Sequence, residues 1–471
     1  MRAKIFFGNR EIDRDEVREN HSPFNNQVVS YNPICNINDV DEILNIANIS
    51  SKFARKQKLS QRCDWLLDVA NKLSLNREDF AKTITDEIGK PISFSRIEVD
   101  RCIETIKLSA ETMRTMNGET INSDAMNSGR ETIAFWRRIP AGVVVAITPF
   151  NFPLNLVAHK IAPALVSGNS VILKPTPEAP LIAYKLAKLF IDSPFATRDA
   201  LSLIYGDAEI GSRLVTSNIP RVISFTGSVQ VGNIISRNAG IKKVALELGG
   251  NSGTFIDETA DINFSAKRCA IGAFTNSGQV CISLQRIYVH KNIYNEFANA
   301  LVSETSNLKI GNPYENETFM GPLISEDSVS RAVRWLNSAI NEGAKALTPI
   351  IVNGRILKPV VMGNVRDDMA IVCEEVFAPI VSLIEVNNFD EAINKLNDSP
   401  YGLQFSIFTN NIKNMQKAIS EFESGGILIN EIPTVRFDIQ PYGGIKLSGV
   451  GREGPRFAIE EFTEIQTVVI A

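Results

Sequence analysis

A cysteine in Gly278-Gln279-Val280-Cys281 and a glutamate in Glu247-Leu248-Gly249-Gly250-Asn251 are the residues of this sequence best suited to covalent chemistry. A thiolate attacks a carbonyl carbon, and a nearby carboxylate activates the water that releases the product. Cys281 can also be read as a small buried hydrophobe, although Gly278 and Gln279 make a poor core segment. Glu247 follows Val244-Ala245-Leu246, an apolar setting in which a carboxylate is costly unless neutral or paired. Two readings of it stay open, a base of raised pKa and a salt-bridge partner.

Three further segments place polar groups where ligands bind. Asn151, in Thr148-Pro149-Phe150-Asn151-Phe152-Pro153, follows a strand end and offers an amide donor to an oxyanion; its alternative is a turn or helix cap. Lys174-Pro175 stands at the end of another strand, where an ammonium meets ribose or phosphate unless it is only a strand exit. Gly227-Ser228-Val229-Gln230-Val231-Gly232 follows a strand and opens a helix. Backbone N–H groups there suit a pyrophosphate, but the spacing is not GxGxxG and a plain turn is the competing reading.

The elements that must position these groups follow from periodicity. Helical patterns run over 38–54, opened by an N-cap at Asn38-Asp39, and over 60–73, 77–88 and 93–116; nothing helical precedes Asn38. A polar, Gly-containing stretch over 117–138 reads as a hairpin leaving the main body. Strands at 142–147, 170–174, 201–205, 221–225 and 244–248 then alternate with helices at 152–166, 180–191, 208–216 and 229–238. That alternation predicts an α/β fold with a parallel, doubly wound sheet. Beyond Asn251 come helices at 262–276, 293–308, 325–342, 390–396 and 456–462, strands at 286–289 and 405–408 with others before 384, and a β-rich tail at 465–471. A terminal strand of this kind can pair outside its own domain.

Composition narrows the class. The 471 residues exceed one ordinary core, and 44% apolar with 22% charged residues describe a globular protein of two or more domains. A net charge of −4 gives no electrostatic reason to expect nucleic acid or an acidic membrane as partner. No apolar run approaches the roughly 20 residues of a membrane span, and residues 1–10 do not form a secretory signal. Six cysteines without CxxC pairs point to a reducing cytoplasm rather than to disulfides or zinc, and three scattered histidines give no reason to expect a metal.

In order along the chain, these pieces resemble the aldehyde dehydrogenase superfamily. The matches are the Thr148–Pro153 segment, Lys174-Pro175, Phe225-Thr-Gly-Ser with Gly232, Glu247-Leu-Gly-Gly-Asn, Gly278-Gln-Val-Cys, Glu374-Glu-Val-Phe-Ala-Pro, and Pro441-Tyr-Gly-Gly with Ser448-Gly and Gly451-Arg-Glu. The resemblance implies Cys281 as nucleophile, Asn151 and the Cys281 N–H as oxyanion donors, Glu247 as the base for thioester hydrolysis, and Lys160 and Glu453 as its proton relay. It implies NAD or NADP as cofactor, held by Thr148, Lys174, Pro177, Gly206, Gly227, Ser228, Gly232, Leu248, Gly249, Glu375 and Phe377. It further implies a Rossmann-like cofactor domain over 1–117 and 141–249, a catalytic α/β domain over 250–448, and oligomerisation elements at 118–140 and 461–471. Homodimers or homotetramers follow.

Departures from the family pattern bear on specificity. Ala378 replaces a usual Gly, a mild change, and Pro177 replaces the Glu with which NAD-preferring members repel a 2′-phosphate, so NADP is tolerated. His159 falls where a bulky aromatic lines the tunnel for simple aliphatic aldehydes. The Phe152–Lys160 segment, which holds Asn155 and His159, resembles that of members oxidising small hydroxylated or anionic aldehydes such as lactaldehyde or glyceraldehyde, and a small hydroxyaldehyde is the favoured substrate. Arg436 could meet an anionic end, as in succinate semialdehyde, glyceraldehyde 3-phosphate or phosphonoacetaldehyde, or be a surface charge. Val280 lacks the Arg of some phosphate-accepting members. Three rivals are weaker. Glu247 argues against a CoA-acylating relative, the intact Cys281, Asn151 and Glu247 set argues against a silent structural relative, and a bare Rossmann binding module leaves Cys281 unexplained.

Overall fold

The computed structural model describes residues 1–470; Ala471, the last residue of the expected tail, lies outside the described residues. Two mostly parallel sheets hold the functional segments at their strand ends. In the first, the strands Leu201–Leu203, Ser170–Lys174, Val143–Ile147, Val222–Thr226 and Lys243–Glu247 lie side by side and parallel. Numbered along the chain, their order is 3-2-1-4-5, the dinucleotide-binding arrangement whose crevice opens where the order reverses. That reversal falls between Val143–Ile147 and Val222–Thr226, and the Ser170–Lys174 and Val222–Thr226 strands are buried along their full length. Continuous burial is what parallel strands covered on both faces require.

The second sheet orders Lys345–Ala346, Val360–Gly363, Ile380–Val386, Leu284–His290, Ser252–Ile256, Gln404–Phe408 and Gly426–Ile429, parallel except at the Lys345–Ala346 edge. A third, antiparallel sheet joins Thr463–Ile470 to Ile133–Pro140 over eight residue pairs, with Thr120–Asn122 beyond. The expected hairpin and tail strand therefore meet within one chain.

Several boundaries differ from the sequence reading, each for a local reason. The first long helix, Ile37–Ala54, is capped by Asn36, not at Asn38-Asp39. Asn36 Oδ1 accepts from the Asp39 N–H at 3.2 Å, and Asp39 Oδ2 accepts from the Asn36 N–H at 2.8 Å. Four short strands precede it; Ile5–Phe7 adds to the first sheet antiparallel to Leu201–Leu203, with Arg10–Ile12 at the edge beyond it. The helix expected from 152 begins at Asn155, because Glu98 Oε1 accepts the Leu154 and Asn155 N–H groups at 2.9 and 3.2 Å. The Ser252–Ile256 strand, the Ile412–Glu421 helix and the Gly426–Ile429 strand have no counterpart in the periodicity reading. Burial of all five residues of Ser252–Ile256 erases the alternation that would have shown it.

The helix expected over 262–276 ends at Phe274, and Thr275–Gly278 forms a tight turn with Asn276, Ser277 and Gly278 all left-handed. Gln279 holds this turn: its Nε2 donates to Asn276 O at 3.2 Å, and its Oε1 accepts from the Ile324 N–H at 2.9 Å. Only glycine suits the last position, since φ is +70° and a Cβ would stand 2.2 Å from Ala378 O. Gly278→Ala should cost about 1–3 kcal/mol and displace the Cys281 turn. A lowered thermal midpoint together with slowed Cys281 alkylation is the expected result of differential scanning fluorimetry and thiol labelling.

Candidate active site

The ends of both sheets face a small cavity of about 140 Å³ whose wall includes Cys281, Glu247, Glu453, Asn155, Arg436, Tyr442, Lys90 and Arg101. Cys281 follows the left-handed turn, and its half-buried thiol meets Tyr442 Oη at 3.0 Å. Burial pushes the thiol up to about 12, with the Tyr442 hydrogen bond and the Arg436 charge pulling it back. Asn151 lies against the same turn. Its Nδ2 donates to Gln279 O at 3.0 Å, and its Oδ1 accepts from the Phe152 N–H at 3.1 Å. One amide proton of Asn151 is thus left for an oxyanion.

Glu247 ends its strand in a buried position with Oε2 unpartnered. Burial, then the neighbouring Glu453 charge, raises its carboxyl well above the usual range. Among the described residues Glu247 makes no ion pair, so the structure shows no salt bridge for it, and a raised carboxyl is what a general base requires. Glu453 behaves oppositely. Burial alone would raise it, but the Lys160 ammonium at 3.0 Å and the Arg436 guanidinium at 3.0 Å hold it below the ordinary value. Thr226 Oγ1 stands 3.4 Å from the same carboxylate, and Lys160 also donates to Ser224 Oγ at 3.2 Å.

His159 requires a correction. It does not line the cavity; its side chain is fully buried behind Arg436, and Nε2 lies 2.9 Å from Asp438 Oδ1 and 3.2 Å from Arg436 Nη2. The short contact to a carboxylate identifies the Nε2–H tautomer and leaves Nδ1 unpartnered. Burial and the Arg436 charge lower its pKa, so it is a neutral support. Asn155 shares that role: its Nδ2 donates to Asp438 Oδ1 at 3.2 Å and its Oδ1 accepts from Thr105 at 3.0 Å. Arg436 is no surface charge. It is buried in the cavity wall, stacked 3.7 Å above the Tyr442 ring, with Nε unpartnered.

Residues given no role in the sequence reading complete the site. Lys90, wholly buried, donates to Glu98 Oε2 at 2.5 Å and to Asn151 O at 2.6 Å, and its ammonium lies 3.8 Å over the Phe152 ring. Asp438 gathers Arg101, His159 and Asn155, and Tyr442 touches the thiol. Buried charges in a 471-residue sequence announce themselves only once burial is known. For Lys90, the Gly89-Lys90-Pro91 break read as a helix separator was the sole sign.

A groove of about 350 Å³ adjoins the first sheet, lined by Lys174, Pro177, Gly206, Phe225, Val231 and Ile234, among others. Ser228 caps the Val229–Asn238 helix by accepting from the Val231 N–H at 3.3 Å, so the helix N-terminus faces out beside Gly227. Gly232 must lack a Cβ, which would lie 2.5 Å from Leu248 Cδ2. At the inner end Gly249 would clash likewise with Glu375 Oε2, while Glu375 Oε1 accepts from the Gly250 N–H at 3.1 Å and burial raises its carboxyl to about 7. Phe377, with φ +47°, packs edge-on to Phe150 at 5.9 Å, and the Thr148 hydroxyl is buried without a partner. An apolar slot, an exposed helix N-terminus, a lysine at a strand end and an acceptor carboxylate fit a nicotinamide dinucleotide. Among the described residues no His, Cys, Asp and Glu cluster could hold a metal ion, and no helix is long and apolar enough to cross a membrane.

Comparison with known proteins agrees with this geometry. Residues 11–468 match the model of the aldehyde dehydrogenase family. The chain is 42% identical over 430 residues to the 3-sulfolactaldehyde dehydrogenase of Priestia aryabhattai, covering 91% of this chain and 90% of that protein. It is 40% identical over 470 residues to the lactaldehyde dehydrogenase of Methanococcus aeolicus, covering 99% of each. Its fold superimposes with a TM-score of 0.93 on the crystal structure of glyceraldehyde-3-phosphate dehydrogenase GapN from Methanocaldococcus jannaschii complexed with NADP. That match is at 35% identity and covers 98% of this chain and 100% of the other. With catalytic geometry, cofactor groove and whole-chain similarity in accord, this chain belongs to the aldehyde dehydrogenase family and is an NAD(P)-dependent oxidoreductase.

Proposed function

We propose that the chain oxidises a small hydroxyaldehyde of the lactaldehyde or glyceraldehyde type to its carboxylic acid. The observation that carries this reading is the cavity itself, about 140 Å³ with Cys281 and Glu247 in one wall. Cys281 attacks the carbonyl carbon to give a thiohemiacetal, whose oxyanion meets the free Asn151 amide proton and the Cys281 N–H. NAD or NADP, bound in the adjoining groove, supplies the hydride acceptor. Glu247 takes a proton from the water that cleaves the resulting thioester, and Glu453 with Lys160 carries that proton inward. Lys174, Pro177 and Gly206 hold the adenosine end. Gly227, Ser228 and Gly232 hold the pyrophosphate, and Thr148, Leu248, Gly249, Glu375 and Phe377 the nicotinamide end. The cofactor elements 1–117 and 141–249, the catalytic elements 250–448, and the 118–140 and 461–471 strands correspond to the three parts of this design. Exposed Ile133, Ile465, Val469 and Ile470 on the third sheet support a homodimer or homotetramer, and reduced cysteines a cytoplasmic setting.

A second reading, an aldehyde with an anionic tail, is favoured by one observation: Lys90, Arg101 and Arg436 all face the cavity, and Arg436 Nε is unpartnered. The 3-sulfolactaldehyde dehydrogenase relative acts, by its name, on such a compound. The two readings separate in a panel of lactaldehyde, glyceraldehyde, 3-sulfolactaldehyde and succinate semialdehyde, each with NAD and with NADP, followed by nicotinamide absorbance. The highest kcat/KM is expected with an uncharged hydroxyaldehyde. A preference for the charged ones that falls on Arg436→Leu substitution would establish the second reading, and silence with every compound would remove both.

Cys281→Ala should abolish turnover and leave cofactor binding by fluorescence titration intact. Because Glu247 must ionise to act and its pKa is raised, kcat should climb with pH well above the ordinary carboxylate range and level off once the group is charged. Glu247→Gln should lower kcat about 10²–10⁴-fold and flatten that limb, while a pre-steady-state burst of reduced cofactor persists.

A further inference from the structure

Tyr442 has no part in the reading above, yet among the described residues it is the hydrogen-bond partner of the nucleophile, Oη to Cys281 Sγ at 3.0 Å. It is buried and rigidly placed. Its N–H donates to Glu453 O at 3.1 Å and its carbonyl accepts from the Glu453 N–H at 2.7 Å. The Arg436 guanidinium covers the ring face at 3.7 Å, a cation–π contact that polarises the phenol and adds positive potential beside the sulfur. We propose that Tyr442 is a catalytic residue, its phenolic O–H donating to the Cys281 sulfur so that the thiolate is aimed and stabilised as it forms.

The charges facing the thiol define what this donor must overcome. Burial, Glu375 and Glu247 all disfavour the thiolate; Tyr442 and Arg436 favour it. Burial first, then the Cys281 and Glu247 charges, raises the phenol itself well above its ordinary value, so it keeps its proton and acts as donor. The thiol proton leaves to solvent, and the Tyr442 proton stays on oxygen throughout. A hydrogen bond to a charged group is roughly twice as strong as one between neutral groups, and here it gains that strength only when the sulfur is ionised. Removing it therefore moves the thiol pKa upward instead of merely loosening the site.

This inference rests on Cys281 as nucleophile, and the test separates the two. The second-order rate of iodoacetamide alkylation is measured against pH for the wild-type enzyme and for Tyr442→Phe, with the modified residue identified by mass spectrometry and activity followed in parallel. In Tyr442→Phe the profile should shift upward by about one pH unit, making alkylation about tenfold slower at neutral pH, while NAD(P) binding is retained. Superimposable profiles from a cofactor-binding variant would overturn the role of Tyr442 and leave Cys281 in place. Inactivation without label on Cys281 would overturn the nucleophile assignment and this inference with it. If the phenylalanine variant does not fold, 3-fluorotyrosine at position 442 keeps the ring and strengthens the donor. The profile should then move to lower pH, and an unmoved profile would overturn the proposal.

Discussion

The ion pair between Lys160 and Glu453, both wholly inside the protein, is the contact on which the rest of the site depends. A charge removed from water needs a partner of opposite sign and further hydrogen bonds, or it destabilises the fold by several kcal/mol. Lys160 brings the Asn155–Val166 helix to the pair, Ser224 and Thr226 bring the sheet strand, and Glu453 brings the segment bridged to Tyr442. Arg436 then joins through the second oxygen of Glu453. The pair thus fixes where the tyrosine over the thiol must stand. It also leaves Glu247 as the nearby carboxyl without a cation of its own, which is why burial can raise its pKa.

A second buried pair does the same for the electrophilic side. Lys90 stands in the break before the Ile92–Thr115 helix and Glu98 within that helix, but their other bonds reach the Asn151 loop. Lys90 holds Asn151 O, and Glu98 takes the two N–H groups at the start of the next helix. The loop's backbone is thereby specified from outside, and the Asn151 side chain is free to face the thiol turn. Neither pair contacts the cofactor groove, so the groove and the reacting centre are positioned by separate sets of interactions joined at the ends of the same sheet.

How far this was legible in the sequence depends on whether a signal was local. The strand Ser170–Lys174 and the helices Pro180–Ile191, Ala208–Thr216 and Val229–Asn238 follow directly from apolar periodicity and turn residues. Asn36 was passed over as a cap because Asn38 and Asp39 offer the same side chains two and three residues later. Ser252–Ile256 carried no alternation because both faces are covered. The nucleophile, the base and the oxyanion amide were visible because their segments are unusual in composition. Lys90, Glu98 and Asp438 were not, and Tyr442 stood in Pro441-Tyr-Gly-Gly without a role, since such side chains acquire meaning only from partners brought close by folding. His159 was placed on the tunnel wall by its match to a family position, whereas its ring turns toward Asp438.

Lys160 and Glu453 are separated by 293 residues, and Cys281 and Tyr442 by 161. Contacts of such long range form late in folding, after the local α/β units have closed. During synthesis, residue 281 exists long before residues 442 and 453 do. Until they arrive, its sulfur lacks the phenol and the guanidinium that stand beside it in the folded chain. The reacting centre is thus completed by the last part of the chain to be made.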